Sequence, residues 1–188
     1  MASMWSIGER FAVIALGGNA ILRKGERADP AIQMANLRRA LDNLSPALDH
    51  YTSFALTHGN GPQVGNDLIR SYAGRKYENI PELGLADCVA NTQGRIGHWI
   101  IHEMKNHPRF GQVPAACVLT HIYVDKNEFT EDEYTKGVGP FFPNTEEIRK
   151  DFETRGIVYR VTTDGKELRR VVPSPNPYKL RNSLSSQS

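Results

Sequence analysis

Phe11-Ala-Val-Ile-Ala-Leu16 runs straight into Gly17-Gly18-Asn19, and the reading of the fold starts from this stretch. Six apolar residues ended by two glycines predict a buried strand feeding a tight loop. Phe54-Ala-Leu-Thr57 repeats the pattern and stops at His58-Gly-Asn-Gly-Pro-Gln63. Between the two strands Asp29-Pro30 supplies a helix start, with Asp as N-cap and Pro at the first helical position. Met34, Leu37, Leu41, Leu44 and Leu48 follow at steps of three and four, so the spacing predicts an amphipathic helix ending near His50.

Further on, the pattern predicts a helix from near Pro62 to about Tyr72, a loop over 73–82, and a longer helix over Ala86–Lys105. Val89, Ile96, Ile100 and Met104 mark one face of that longer helix. Ala115–Val124 reads as a third apolar strand. Strands alternating with helices predict a mainly parallel α/β sheet with crossovers. After Val124 the pattern turns polar and hairpin-like over 125–172, and Asp164-Gly165 between Ile157–Thr162 and Leu168–Val172 is a hairpin signal. Pro173, Pro175 and Pro177 predict an extended segment, and Asn182–Ser188 a disordered Ser-rich end. The expected division is therefore an α/β lobe over 1–124, a small protruding β-rich subdomain over 125–172 and a Pro/Ser-rich tail over 173–188.

Composition narrows the function classes. Lys and Arg number 23 against 21 Asp and Glu, which gives no reason to expect a nucleic acid as partner. No apolar run approaches the roughly 18 residues of a membrane span. The N-terminal residues carry no secretory pattern, and the cytoplasm is the expected compartment. Cys88 and Cys117 fit no metal or redox spacing and read as reduced hydrophobes in apolar elements.

In a parallel sheet, Gly17-Gly18-Asn19 and Gly59-Asn60-Gly61 open at the same carboxyl edge. Glycines let backbone N–H groups approach an anion, and a helix N-terminus behind them adds a favourable dipole. Either turn alone reads as an ordinary βα connection; the pair, each with an Asn, points to an anion site. There is no Walker A or G-x-G-x-x-G string. His98 and His102 stand at i, i+4 but lack a third ligand, so they read as surface or half-buried histidines and no metal site is expected. His58 either contacts a ligand or braces its loop. Lys126 and Lys136 read as solvated charges unless the subdomain folds over the glycine turns.

Five strings, taken together, resemble the carbamate kinases of the amino-acid kinase superfamily: Ala15-Leu-Gly-Gly-Asn-Ala20, Thr57-His-Gly-Asn-Gly-Pro-Gln-Val-Gly65, Thr92-Gln-Gly-Arg-Ile-Gly97, Thr135-Lys-Gly-Val-Gly-Pro140 and Arg169-Arg-Val-Val-Pro-Ser-Pro175. The resemblance implies a three-layer αβα sandwich lobe with a lid subdomain. It also implies reversible phosphoryl transfer between ATP, with Mg2+, and carbamate, giving carbamoyl phosphate and ADP. By that resemblance Gly17, Gly18 and Asn19 contact the transferred phosphoryl group, Gly59, Asn60 and Gly61 the carbamate end, and Lys136 acts from the lid. Asn19 and Lys136 are the expected catalytic residues. The family's chains have a second α/β lobe that holds the nucleotide, and they pair as homodimers. This chain is expected to be truncated before that lobe and to lack the donor site. Tyr134 stands where the family usually has Pro, and Asp164–Leu168 replaces a Gly-Arg-Gly-Trp-like stretch. The rival expectation is a non-catalytic anion-binding or dimerisation half, and a lower one is another small-acid kinase such as acetylglutamate kinase.

Overall fold

A computed structural model describes residues 10–121 and 129–174. The expectations for Val124, Lys126, Pro175, Pro177 and the Ser-rich end lie outside the described residues. The fold is α/β, and the chain divides into two compact units. The first holds the residues up to Gln63 together with Val89–Leu119; the second holds Val64–Cys88 and the chain from Thr120 on.

In the first unit β1 (Phe11–Leu16) and β2 (Ser53–His58) pair in parallel, with Phe11 opposite Ser53 and Leu16 opposite His58. The crossover runs through a single turn, α1 (Gly18–Ile21), and then α2 (Pro30–Leu44). Asp29 caps α2 as predicted, its carboxylate accepting from Ala31 N–H at 2.8 Å. The helix stops at Leu44 rather than near His50. Pro46 cannot donate to the helical ladder, so Pro46–His50 forms a separate 3-10 turn that still buries Leu48.

Leu37 and Leu41 of α2 meet Leu16 and Ile21, and α4 (Leu85–Asn106) adds Ile96, Trp99, Ile100 and Met104 to the same core. Phe110 closes it, edge-on to Phe54 at 5.8 Å between ring centroids. β1 is half-buried rather than fully buried. Ala12, Ile14 and Leu16 face the core, while Phe11 and Val13 are exposed, Val13 at 68%. Among the described residues helices cover one face of this sheet, so the period-2 alternation of strand side chains decides which residues are buried.

The third strand expected over Ala115–Val124 is absent from its described part. Residues 115–121 form no ladder, and Val118 is 78% exposed. An apolar run becomes a strand only when a neighbouring strand takes its N–H and C=O groups, and among the described residues no strand pairs with 115–119. Cys117 is accordingly exposed, against the apolar setting expected for it, while Cys88 is buried. Burial, aided by the charges of Asp67 and Asp87, pushes the Cys88 thiol up from its usual value.

The loop expected over 73–82 is largely helical, since α3 spans Gly61–Glu78. Its stop signal is Asn79, which takes the left-handed φ of 54° that a short polar side chain tolerates. In the second unit β3 (Tyr134–Pro143), β5 (Glu167–Pro173) and β4 (Tyr159–Val161) form an antiparallel sheet in the order β3-β5-β4. The Asp164-Gly165 turn sits between β4 and β5 as expected, with Gly165 at φ 72°. A helix that the sequence reading missed, α5 (Glu146–Thr154), is inserted between β3 and β4. Thr145 caps it, and only Phe152 of its nine residues is fully buried, so its apolar stripe is thin. Phe142, Phe152 and Leu168 make this unit's core.

Asp151 joins Arg75 and Arg155 in this unit. Burial alone pushes its carboxyl up, but the hydrogen bonds and charges of Arg155 and Arg75 outweigh that and hold it below its ordinary 3.8. Asp164 is lowered too, by hydrogen bonds from the Thr162 hydroxyl and the Lys166 amide. A carboxyl with a depressed folded pKa stabilises the fold fully above its unfolded value, and that contribution is lost as pH falls through the folded value. The thermal midpoint is therefore expected to hold steady above about pH 5 and to fall on acidification below about pH 4. Asp151→Asn should lower stability at neutral pH by about 1 kcal/mol, the scale of a partly solvated ion pair, and make the acid limb shallower. Thermal melts at stepped pH read both effects.

Candidate functional site

The register of the parallel pair brings the two glycine turns together. Leu16 lies opposite His58, and Gly59 N–H donates to Leu16 O at 3.3 Å, so both turns leave the same sheet edge side by side. The first turn enters α1, where Ala20 N–H closes on Gly17 O at 2.8 Å. The second enters α3 at Gly61. A Cβ built on Gly17, Gly18, Gly59 or Gly61 would meet nothing within 4 Å. Among the described residues, packing therefore does not require glycine at these four places. What the glycines provide is uncovered backbone on the open side of the turns.

Beneath the turns lies a set of buried amides that sequence reasoning missed. Asn36 of α2 donates to Ile21 O at 3.2 Å, at the end of α1, and to the Glu26 carboxylate at 2.7 Å. One helical turn earlier, Gln33 accepts from the Gln63 side chain at 2.7 Å, in the first turn of α3. One face of α2 thus ties down both turns, with Gln33, Asn36 and Gln63 all buried. Asn60 donates to Thr92 Oγ1 at 2.9 Å, and the hydroxyl of the fully buried Thr92 donates in turn to Val89 O at 2.8 Å. Buried polar groups persist where each finds a partner, and these do. The available signal was polar residues at core positions of an amphipathic helix, since Gln33 and Asn36 fall on the same side as Leu37. The Glu26 carboxyl is held below its ordinary value, first by the Arg23 backbone N–H and then, against desolvation, by Asn36.

We expect Gln33→Leu to strand the Gln63 amide without a partner, cost about 1–3 kcal/mol and loosen the second turn. Urea unfolding measures the first effect. Amide exchange at Gly59 and Gly61, faster in the variant, measures the second.

The other candidate residues fall elsewhere. His58 Nδ1 lies 3.3 Å from Gly59 O, where the side chain braces its own loop. His98 and His102 are exposed on α4 with ring centroids 6.3 Å apart, and Asn106 contacts His102 at 3.2 Å. Lys136 belongs to the second unit; it is exposed on β3, opposite Val172. The strand is irregular there, with a register shift between Gly137 and Phe141 and Gly139 at φ 73°. Arg169 fixes the irregularity by donating to Gly139 O at 3.1 Å while lying over the Phe141 ring at 4.7 Å. Among the described residues no three His, Cys, Asp or Glu side chains gather as a metal site.

No family model matches the chain. Among curated relatives, the sequence is 40% identical over 169 residues to a carbamate kinase of Thermococcus kodakarensis, covering 88% of this chain and 53% of that one. It is 35% identical over 174 residues to the carbamate kinase-like protein YahI of Escherichia coli, covering 92% and 54%. Among solved structures, the carbamate kinase of Giardia lamblia bound to AMP-PNP matches with a TM-score of 0.75 at 33% identity, over 97% of this chain and 59% of that one. The chain spans about half the length of the curated relatives it matches.

Proposed function

We propose, for a chain that belongs to the carbamate kinase family over about nine-tenths of its own length, that the paired glycine turns are the acceptor side of a phosphoryl-transfer site. The observation that carries this reading is the uncovered backbone of Gly17, Gly18, Gly59 and Gly61 at one sheet edge, with buried amides holding both turns from behind. In the forward reaction a carbamate oxygen attacks the γ-phosphorus of ATP, and the bond to the ADP oxygen breaks. Carbamoyl phosphate and ADP result. Such a transfer needs positioning and neutralisation of equatorial oxygen charge more than covalent help from the protein. Backbone N–H groups of Gly17, Gly18 and Asn19 would serve the phosphoryl group, and those of Gly59, Asn60 and Gly61 the carbamate end. Lys136 supplies the cation that this reading assigns to the phosphoryl oxygens.

ATP with Mg2+ comes with the family reading. Mg2+ would neutralise phosphate charge when bound. The described residues offer it no cluster of their own.

The test has two readings, calorimetric titration with carbamoyl phosphate and conversion of ADP to ATP with the same compound. Turnover that is lost in Lys136→Ala supports the kinase. Binding without turnover supports the second reading, a non-catalytic anion-binding module. Absence of binding would overturn both.

Self-association through the first unit belongs to the same proposal. Its exposed Phe11, Val13 and Val118 form apolar surface that a second copy would cover. Light scattering at micromolar concentration should show a dimer, and a 21.0 kDa monomer would count against it.

A further inference from the structure

The second unit contains a pocket that the proposed reaction does not use. Tyr72, Phe142, Phe152 and Ile157 form its apolar wall, and Glu82, Arg155 and Arg170 its polar one. The aromatic rings are packed edge-on, Tyr72 to Phe142 at 4.9 Å and Phe142 to Phe152 at 5.1 Å, which makes the wall a fixed surface.

The charges do not balance. Glu82 takes Arg155 at 3.0 Å on one carboxylate oxygen and Arg75 at 2.9 Å on the other. The Arg75 contact is off the line of a hydrogen bond. Asp151 is shared by the same two guanidinium groups. Two carboxylates and two guanidinium groups cancel, and Arg170 is left as a third cation. Among the described residues its side chain makes no hydrogen bond and no ion pair, although it is half-buried. Burial first, and then the like charge of Arg155, act against its protonated form and outweigh the opposing charge of Glu82. A partly desolvated cation with no hydrogen-bonded anion is unfavourable, and a bound anion would relieve it.

We propose that this pocket binds a small monocarboxylate, its carboxylate on the Arg170 guanidinium and its apolar remainder against Phe142 and Phe152. One surplus charge matches a monoanion. The planar guanidinium fork matches the two oxygens of a carboxylate. The Glu82 carboxylate in the same wall disfavours a doubly charged phosphate. The site lies within the second unit and shares no residue with the glycine turns, so it stands or falls independently of the proposed reaction.

The experiment is a two-dimensional amide NMR titration of the 188-residue chain with sodium propionate, with sodium phosphate and sodium chloride as parallel arms at equal ionic strength. Propionate should shift the amides of Gly139, Ile157 and Arg170 with saturation in the millimolar range, where weak small-ligand sites fall. Chloride should not reproduce the shifts, and phosphate should leave these amides in place. Arg170→Met should abolish the propionate response while the remaining spectrum keeps the wild-type pattern. Arg170→Lys keeps the charge without the fork and should weaken binding about tenfold, which decides the matter if Arg170→Met fails to fold. Shifts that chloride reproduces, or that persist at wild-type affinity in Arg170→Lys or Arg170→Met, would overturn the proposal. Equal affinity for phosphate would overturn the carboxylate assignment.

Discussion

Gly18→Val is expected to lower the affinity for carbamoyl phosphate, or for inorganic phosphate in its place, by at least about 100-fold while leaving the protein folded. Loss of two charge-assisted hydrogen bonds at about 1.5 kcal/mol each gives that scale. The two halves of the expectation come from different observations. Binding is lost because a side chain would stand where the anion must approach the first turn. Folding is kept because a Cβ on Gly18 meets nothing within 4 Å. That combination separates a binding glycine from a structural one. Calorimetry measures the affinity and far-UV circular dichroism with a thermal melt checks the fold. Undiminished affinity in a correctly folded variant would remove Gly18 from the site.

The largest stability effect is expected at Phe110. The ring is 1% exposed and sits edge-on to Phe54 of β2, with His107 4.7 Å away on another side. Truncation to alanine removes most of a ring from a core that α2, α4 and both parallel strands share. Large-to-small changes of this kind cost about 3–5 kcal/mol, because the surroundings collapse only partly into the space. Urea unfolding of Phe110→Ala should therefore show a strongly lowered midpoint with little change of slope. Because Phe54 lies on the strand that carries the second glycine turn, anion affinity should fall as well. A stability loss below about 1 kcal/mol would mean that this corner of the core is far looser than the ring contacts indicate.

The sequence disclosed the features that local chemistry dictates. β1, β2, the Asp29 cap, the span of α4 and the Asp164-Gly165 turn all carry short-range signals, and each is found close to where it was expected. The failures share one cause, which is dependence on a neighbour. Ala115–Leu119 has the composition of a strand but pairs with no strand among the described residues. β1 looked fully buried because composition does not count helical layers; Val13 shows that one face is uncovered. α5 escaped notice because Phe152 alone of its residues is fully buried.

The site divides in the same way. The glycine turns were legible because a strand that runs into glycines has few other meanings, and the parallel register places them together. Gln33, Asn36 and Thr92 were not legible as supports, since an amide in an amphipathic helix discloses its partner only when the second element is in place.

The first unit takes its residues from two separate parts of the chain, with the second unit's Val64–Cys88 between them. This affects how the protein is made. When Gln63 has left the ribosome both parallel strands and both glycine turns already exist as chain, yet Ile96, Trp99, Ile100 and Phe110 have not been synthesised. Thr92, which holds Asn60, is also still missing. Until α4 and Phe110 emerge, α2 has only half of its core to pack against, and the apolar strands remain open to chaperones and to other nascent chains. A nascent chain stalled before α4 should therefore be protease-sensitive throughout, and one stalled well past Phe110 should protect both turns at once.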